Sequence, residues 1–389
     1  LTIEVSLKAA ACFTLQRHHL VKRAPRDRLL DVVDDVLGVN AQGVLNAYIN
    51  LWNRVRGLTP IRLGEMLYVE RTLVKSWLMR NTVHIVSTRR LPLYRRALLS
   101  PLLKAWDRWT MRAGAKKRAD EWEPLYSRLL EILEDEPLSV REMLRILGWE
   151  SEEKRRLLNR VVREMSLKGL ICHADTEGPW YHAAEYRFAR IDRWIGEATF
   201  SLSEEEARRE LARRYLKAYG PASIGDLAYW SGMRVGEVRK TLQGLSDLVE
   251  VKVEERRMLI LKEDLGELLH ASEGEGATRL LPAFDILIMG HRDKRRLINP
   301  RHKPRIFLPR GDVAATLLVD DRIEGTWTLR KGRGNHWTST LSTFRPLLEE
   351  EGDEVETQVE GLREFTGFDI EVKWRCNQHR PARRSDQGE

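Results

Sequence analysis

YSRLLEILEDEPLSVREMLRILG (126–148), a basic helical stretch over 149–168, and GLICHADTEGPWYHAAEYRF (169–188) together decide the fold. Their order is helix, turn, helix, strand, a turn at Gly178-Pro179, and a returning strand, which is the order of a winged helix-turn-helix. The same order recurs in ARRELARRYLKAYGPASIGDLAYWSG (207–232), a helix from Arg234 to Gly244, and the hairpin LVEVKVEERRMLILK (248–262). Upstream, TPIRLGEMLYVERTLVKSWLMRNTVHIVS (59–87) reads as a short helix, a second helix bearing Arg71, Lys75 and Arg80, and a strand over 82–86. Three such units at similar spacing indicate tandem winged helices.

Two more helices precede the first unit. RLLDVVDDVLG (28–38) puts Leu29, Val32, Val33 and Val36 on one face, and 42–56 does the same with Val44, Tyr48, Leu51, Trp52 and Val55. Beyond 278 the texture changes to alternating strands, IFLPRGDVAATLLVDDRIEGTWTLRKG (306–332), then a helix near 340–351 and a strand near 368–375. The fold class is therefore α+β. The expected organisation is a first unit over 1–120, a second over 121–200, a third over 201–277, a β-rich domain over 278–376, and a polar tail over 377–389.

With 389 residues the chain is long enough for several cores, and it contains no apolar run that would span a bilayer. Glu4 and Lys8 interrupt the opening stretch where a secretory signal needs continuous apolar residues, so no export signal is read. Cys12, Cys172 and Cys376 are odd in number and form no CxxC, which argues for a reducing cytoplasm and against structural zinc. The ten histidines give no metal spacing either, so neither metal nor cofactor is expected.

A net charge of +8 permits a polyanionic partner, and its distribution says more. Residues 292–305 carry seven Lys or Arg and one Asp, whereas 347–360 carry seven acidic residues and no basic one. Arg155, Arg156, Arg160 and Arg163 recur at helical spacing in the second unit, as do Arg234 and Arg239 in the third. They suit phosphate contacts that position a duplex, or else plain surface solubility. His291, Arg292, Lys294, Arg295 and Arg296 suit either DNA phosphates or a solvated basic loop.

The chain resembles the bacterial winged-helix DNA glycosylases of the AlkZ and YcaQ type. The likeness is carried by LGVNAQ (37–42) before the Trp52 helix, SWLMRNTVHIV (76–86), YGPASIGDLAYWSG (219–232), LLPAFDILIMGHRDKRRL (280–297) and GDVAATLLVDDRIEGTW (311–327). The resemblance implies three winged helices in a C-shaped clamp, a substrate of alkylated or crosslinked double-stranded DNA, and excision of N-alkylated purines. Its catalytic motif, Gln, a small or apolar residue, then Gln or Asp, falls on Asn40-Ala41-Gln42. Gln42 matches and Asn40 departs from the expected Gln. His84 matches a His-bearing stretch of the family; it lines the lesion channel or serves as a structural hydrogen-bonding residue.

A purine alkylated at N7 or N3 already carries positive charge and leaves readily. The remaining work is to stabilise an oxocarbenium-like sugar and to place a water. Amides can hold that water, since each offers an acceptor and an NH₂ donor. Asn40 is one methylene shorter than Gln, about 1.5 Å of reach, and it also suits an N-cap of the helix that follows. The reading is a monofunctional hydrolase acting as a monomer, because tandem units in one chain make dimerisation unnecessary. The alternative is a non-catalytic winged-helix DNA-binding protein or regulator. Nothing isolated in the sequence points to a lysine Schiff-base lyase step.

Overall fold

A computed structural model describes residues 3–112, 119–196, 201–271 and 276–375; the expected 377–389 tail lies outside them. The second unit runs through helix Ala119–Ile132, strand Leu138–Ser139, helices Val140–Ile146 and Glu152–Lys168, and the hairpin Ile171–Glu177 with Glu185–Arg190. Local chemistry sets its boundaries. Ser139 and Glu142 form a reciprocal capping box, Ser151 caps the long helix, and Gly169 ends it in the left-handed conformation. The third unit repeats the layout with helices Glu204–Tyr219, Ile224–Ser231 and Val235–Gln243, and the hairpin Leu248–Val253 with Arg256–Leu261.

The first unit starts two helices earlier than the sequence suggests. Its helices are Leu29–Asp35, Val44–Trp52 and Pro60–Gly64, the last continuing through a π turn over Glu65–Val69, with strand Val39–Asn40 between the first two. The expected helix bearing Arg71, Lys75 and Arg80 is instead strand Leu73–Trp77, paired with Val83–Ser87. Arg71, Arg80 and Asn81 all have φ near +55°, values that suit turns and not a helix. Cross-strand pairing outweighs the helical propensity of the stretch.

The two wings join edge to edge. A six-stranded sheet runs Val39–Asn40, Val83–Ser87, Leu73–Trp77, Ile171–Glu177, Glu185–Arg190, Leu138–Ser139. Each unit supplies three strands in mirrored order, and the seam is the antiparallel pairing of Lys75 with His173.

The expected 1–120 unit is also divided in space. Ile3–Val5 pairs in parallel with Leu248–Val253 of the third unit, and Phe13 on helix Leu7–Arg17 packs in one cluster with Val251 and Ile260. The C-terminal domain is a five-stranded sheet of Arg279–Leu281, Ala315–Val319, Arg322–Lys331, His336–Thr343 and Asp369–Arg375. The helix expected near 340–351 lies later, at Glu349–Thr366, because 336–343 alternates exposed and buried as a strand. The acidic run is the solvent face of that helix, whose other face buries Val355, Val359, Leu362 and Phe365.

The first unit and the C-terminal domain meet at a fully buried ion pair. Arg54 Nη2 donates to Asp285 Oδ1 at 2.8 Å and Nη1 to Oδ2 at 3.1 Å. Asn50 Nδ2 also donates to Asp285 Oδ2, and Asp285 caps helix Ile286–Met289. Removing one partner leaves a buried charge unpaired. Asp285→Asn is expected to destabilise the chain by about 3–5 kcal/mol, whereas Arg54→Met/Asp285→Leu recovers much of that loss. The check is the denaturant midpoint of the two variants against wild type.

Candidate DNA-processing cleft

Asn40 and His84 face each other across the sheet, in register with Ser76. Asn40 is not the cap of the next helix: that position is Gly43, which makes no side-chain cap. In the second unit Ser139 ends the short strand and caps the helix directly, and in the third Ser223 does so just after the isolated bridge of Ala222 with Leu259. The first unit inserts Ala41-Gln42-Gly43 at this point. Asn40 is buried and braces the insertion, its Oδ1 accepting from the Gln42 backbone N–H at 3.2 Å and its Nδ2 donating to Gln42 Oε1 at 3.1 Å. Gln42 itself is exposed.

Gln42 opens onto a cleft of about 390 Å³ at the seam of the fused sheet. Ala41, Lys75, Trp77, Val83, His173, Tyr186 and Phe188 line it from the sheet side, and Asn159, Val162 and Arg163 from helix Glu152–Lys168. Asn40 does not line it. Among the described residues no Asp or Glu lines it. Burial pushes the Lys75 ammonium down to about 7 and the Arg163 guanidinium to about 10. Burial, and then the Lys75 charge, holds His173 well below the usual imidazole range.

The sequence-derived basic residues separate into two groups. Arg155 and Arg156 are exposed and reach Glu152 on their own helix. Arg160 lies one turn from Arg163 and has no ion pair among the described residues. Arg163 is half-buried, stacked over Trp77 at 4.0 Å and Trp106 at 4.7 Å, and donates to the Asn81 carbonyl. Arg234 and Arg239 are exposed on the third unit.

The 291–296 stretch is largely inward-facing, contrary to the expected DNA surface. His291 Nε2 and Arg296 Nη1 both reach the Tyr219 carbonyl, at 2.7 and 3.1 Å, and Arg296 also bonds Thr14 and the Pro221 carbonyl. Lys294 donates to the carbonyls of Ile288 and His291. All three satisfy buried backbone oxygens, and His291 and Arg296 hold the C-terminal domain on the third unit. Arg295 pairs with Asp293; Arg292 stays exposed. His84 is likewise buried, its Nδ1 facing the Thr82 carbonyl, and burial followed by the Arg80 charge takes it down to about 3.

Sequence reasoning missed Lys75, His173 and Tyr186, and placed Trp77 on a helix. The available signal was the alternation Leu73, Lys75, Trp77, which puts a lysine on an inward-facing strand position.

This fold and cleft define a winged-helix DNA glycosylase. The sequence matches the family described as DNA glycosylase AlkZ-like over residues 33–365, and the chain belongs to it. It is 25% identical over 341 residues to the interstrand DNA cross-link repair glycosylase of Streptomyces sahachiroi, covering 84% of this chain and 89% of that protein. The solved structure of Streptomyces sahachiroi DNA glycosylase AlkZ superposes with a TM-score of 0.80 at 23% identity, covering 96% of this chain and all of that one.

The two groups of cations are expected to behave differently in DNA binding. Arg160→Gln lowers the slope of log affinity against log salt by about one on undamaged duplex. Arg296→Gln leaves that slope unchanged and lowers the melting temperature, since it strands buried carbonyls at a cost on the order of 3 kcal/mol. Anisotropy titrations across a salt series, beside thermal melts, check both.

Proposed function

We propose that the chain is a monofunctional hydrolase that releases N7- or N3-alkylated purines from double-stranded DNA, acting as a monomer in the cytoplasm. The name of the Streptomyces relative extends the reading to interstrand crosslinks. The observation that carries it is Gln42, exposed on a cleft lined by cations and aromatic rings and braced through both ends of its neighbour's amide. Gln42 holds the attacking water at the sugar C1′, and Asn40 acts through it as a positioning residue. The shorter Asn40 side chain suffices for this role because it needs to reach only Gln42. The three winged helices clamp the duplex, with Arg155, Arg156, Arg160, Arg234 and Arg239 on its phosphates.

The hydrolysis requires no general acid, because an N-alkylated purine departs neutral once the bond breaks. It requires a water held in line and excluded alternatives, which amides supply through fixed hydrogen bonds.

Single-turnover release from a duplex with one N7-methylguanine tests the reading. Gln42→Ala is expected to slow release by about 10²-fold or more. Asn40→Ala slows it by about tenfold, the worth of one hydrogen bond, with duplex affinity unchanged in both. A wild-type protein that binds DNA yet releases nothing from this lesion, from N3-methyladenine or from a crosslinked duplex would make it a non-catalytic DNA-binding protein.

A further inference from the structure

Lys75 is a buried amine in the cleft to which neither the family motif nor the reading above gives a task. Only 4% of it is exposed. Among the described residues it has no carboxylate partner, and its Nζ lies 4.2 Å from the centre of the Tyr186 ring. Other cations among the described residues have partners: Arg54 has Asp285, Arg190 has Glu134 and Asp192, and Lys294 has two carbonyls.

Two further groups around the cleft are incomplete. His173, its cross-strand partner, is 5% exposed, and its Nδ1 is buried with no hydrogen bond. Arg163 Nε is also buried without a partner, although Nη2 is used on Asn81. Two cations, an unpaired guanidinium N–H and amides thus converge on one space that, among the described residues, no carboxylate lines. That donor set fits an anion.

We propose that Lys75 and Arg163, with the neutral His173 ring as a wall, form a seat for one DNA phosphodiester beside the nucleotide that Gln42 addresses. The assignment rests on the reading of Gln42 as the group at the scissile bond. The seat fixes the strand against the fused sheet at the seam between two winged helices, so the sugar is presented to Gln42 in one orientation. Lys75 is here a positioning residue.

The seat also carries a pH signature. The charged or titratable groups facing Lys75 are His173 on the neighbouring strand, Tyr186 on the next, and Arg163 on the covering helix. Between pH 6 and 9 His173 stays neutral, Tyr186, raised by burial, stays protonated, and Arg163 stays charged. Lys75 is the cleft group that titrates in this window, at about 7 in the free protein. A phosphate raises that value in the complex, so affinity falls as pH rises and the Lys75 contribution is lost above the complexed value.

The experiment is equilibrium binding of the full chain to a duplex holding a tetrahydrofuran abasic analogue, which has no base to release. Wild type, Lys75→Met and Lys75→Arg are compared across salt at pH 6.5 and across pH at fixed salt. Lys75→Met is expected to reduce the salt slope by about one. Wild-type affinity is expected to drop by about tenfold from about pH 6 to 9, the scale of one charge-assisted hydrogen bond. Lys75→Arg holds its affinity over that range, because its guanidinium stays charged. A salt slope unaltered in Lys75→Met, or a wild-type pH curve parallel to that of Lys75→Arg, overturns the seat. Lys75→Arg keeps the pH comparison decisive should the Met variant misfold. Because the analogue duplex cannot react, these outcomes are independent of base release, and failure of the glycosylase reading would be seen separately in the N7-methylguanine assay.

Discussion

The architecture hangs on the Arg54–Asp285 pair. Its guanidinium extends from the turn that ends the helix after the Gln42 loop, and its carboxylate sits at the start of a short helix in the C-terminal domain. With both side chains fully buried, the charges must remain paired, and so the two elements must remain in register. Asn50 and Asn53 on the same helix reach Asp285 and the Leu280 carbonyl, adding neutral bonds to the charged one. The candidate site thus stands on a helix anchored at its far end in another domain.

A second constraint sets the other wall of the cleft. The wings of the first two units share a sheet, so the strand bearing Lys75 and the strand bearing His173 cannot move apart without breaking the seam. The Trp180-Tyr181 tip of the second wing packs on Phe365, Phe368 and Trp337 of the C-terminal domain. Phe368 and Trp337 stack at 4.2 Å beneath it. This aromatic contact closes a loop of interactions from first unit to second unit to C-terminal domain and back through Arg54. Such closure suits the role proposed for Gln42, which needs a water held to a fraction of an ångström.

The internal repeats make the departure at the motif intelligible. In the second and third units a serine directly after the paired backbone caps the next helix, and the chain has no spare residue there. In the first unit the cap is given up and three residues intervene, with Asn40 turned to brace Gln42. Loss of a capping bond weakens a helix by about 1 kcal/mol, and helix Val44–Trp52 offsets it by burying Tyr48, Leu51 and Trp52. A local rule broken at a position compensated by packing is the pattern expected of a functional loop.

The helix-turn-helix-hairpin order of the second and third units was legible in the sequence, because it depends on residues close to one another along the chain. The strand at Leu73–Trp77 was not, because its conformation comes from pairing with Val83–Ser87 and with a strand a hundred residues away. Nor was the inward turn of His291, Lys294 and Arg296, since charge along a sequence is silent about which backbone carbonyls will surround it. The cleft itself belongs wholly to tertiary structure: Gln42, Lys75, Arg163 and His173 come from four separate elements, and only their packing makes a shared space.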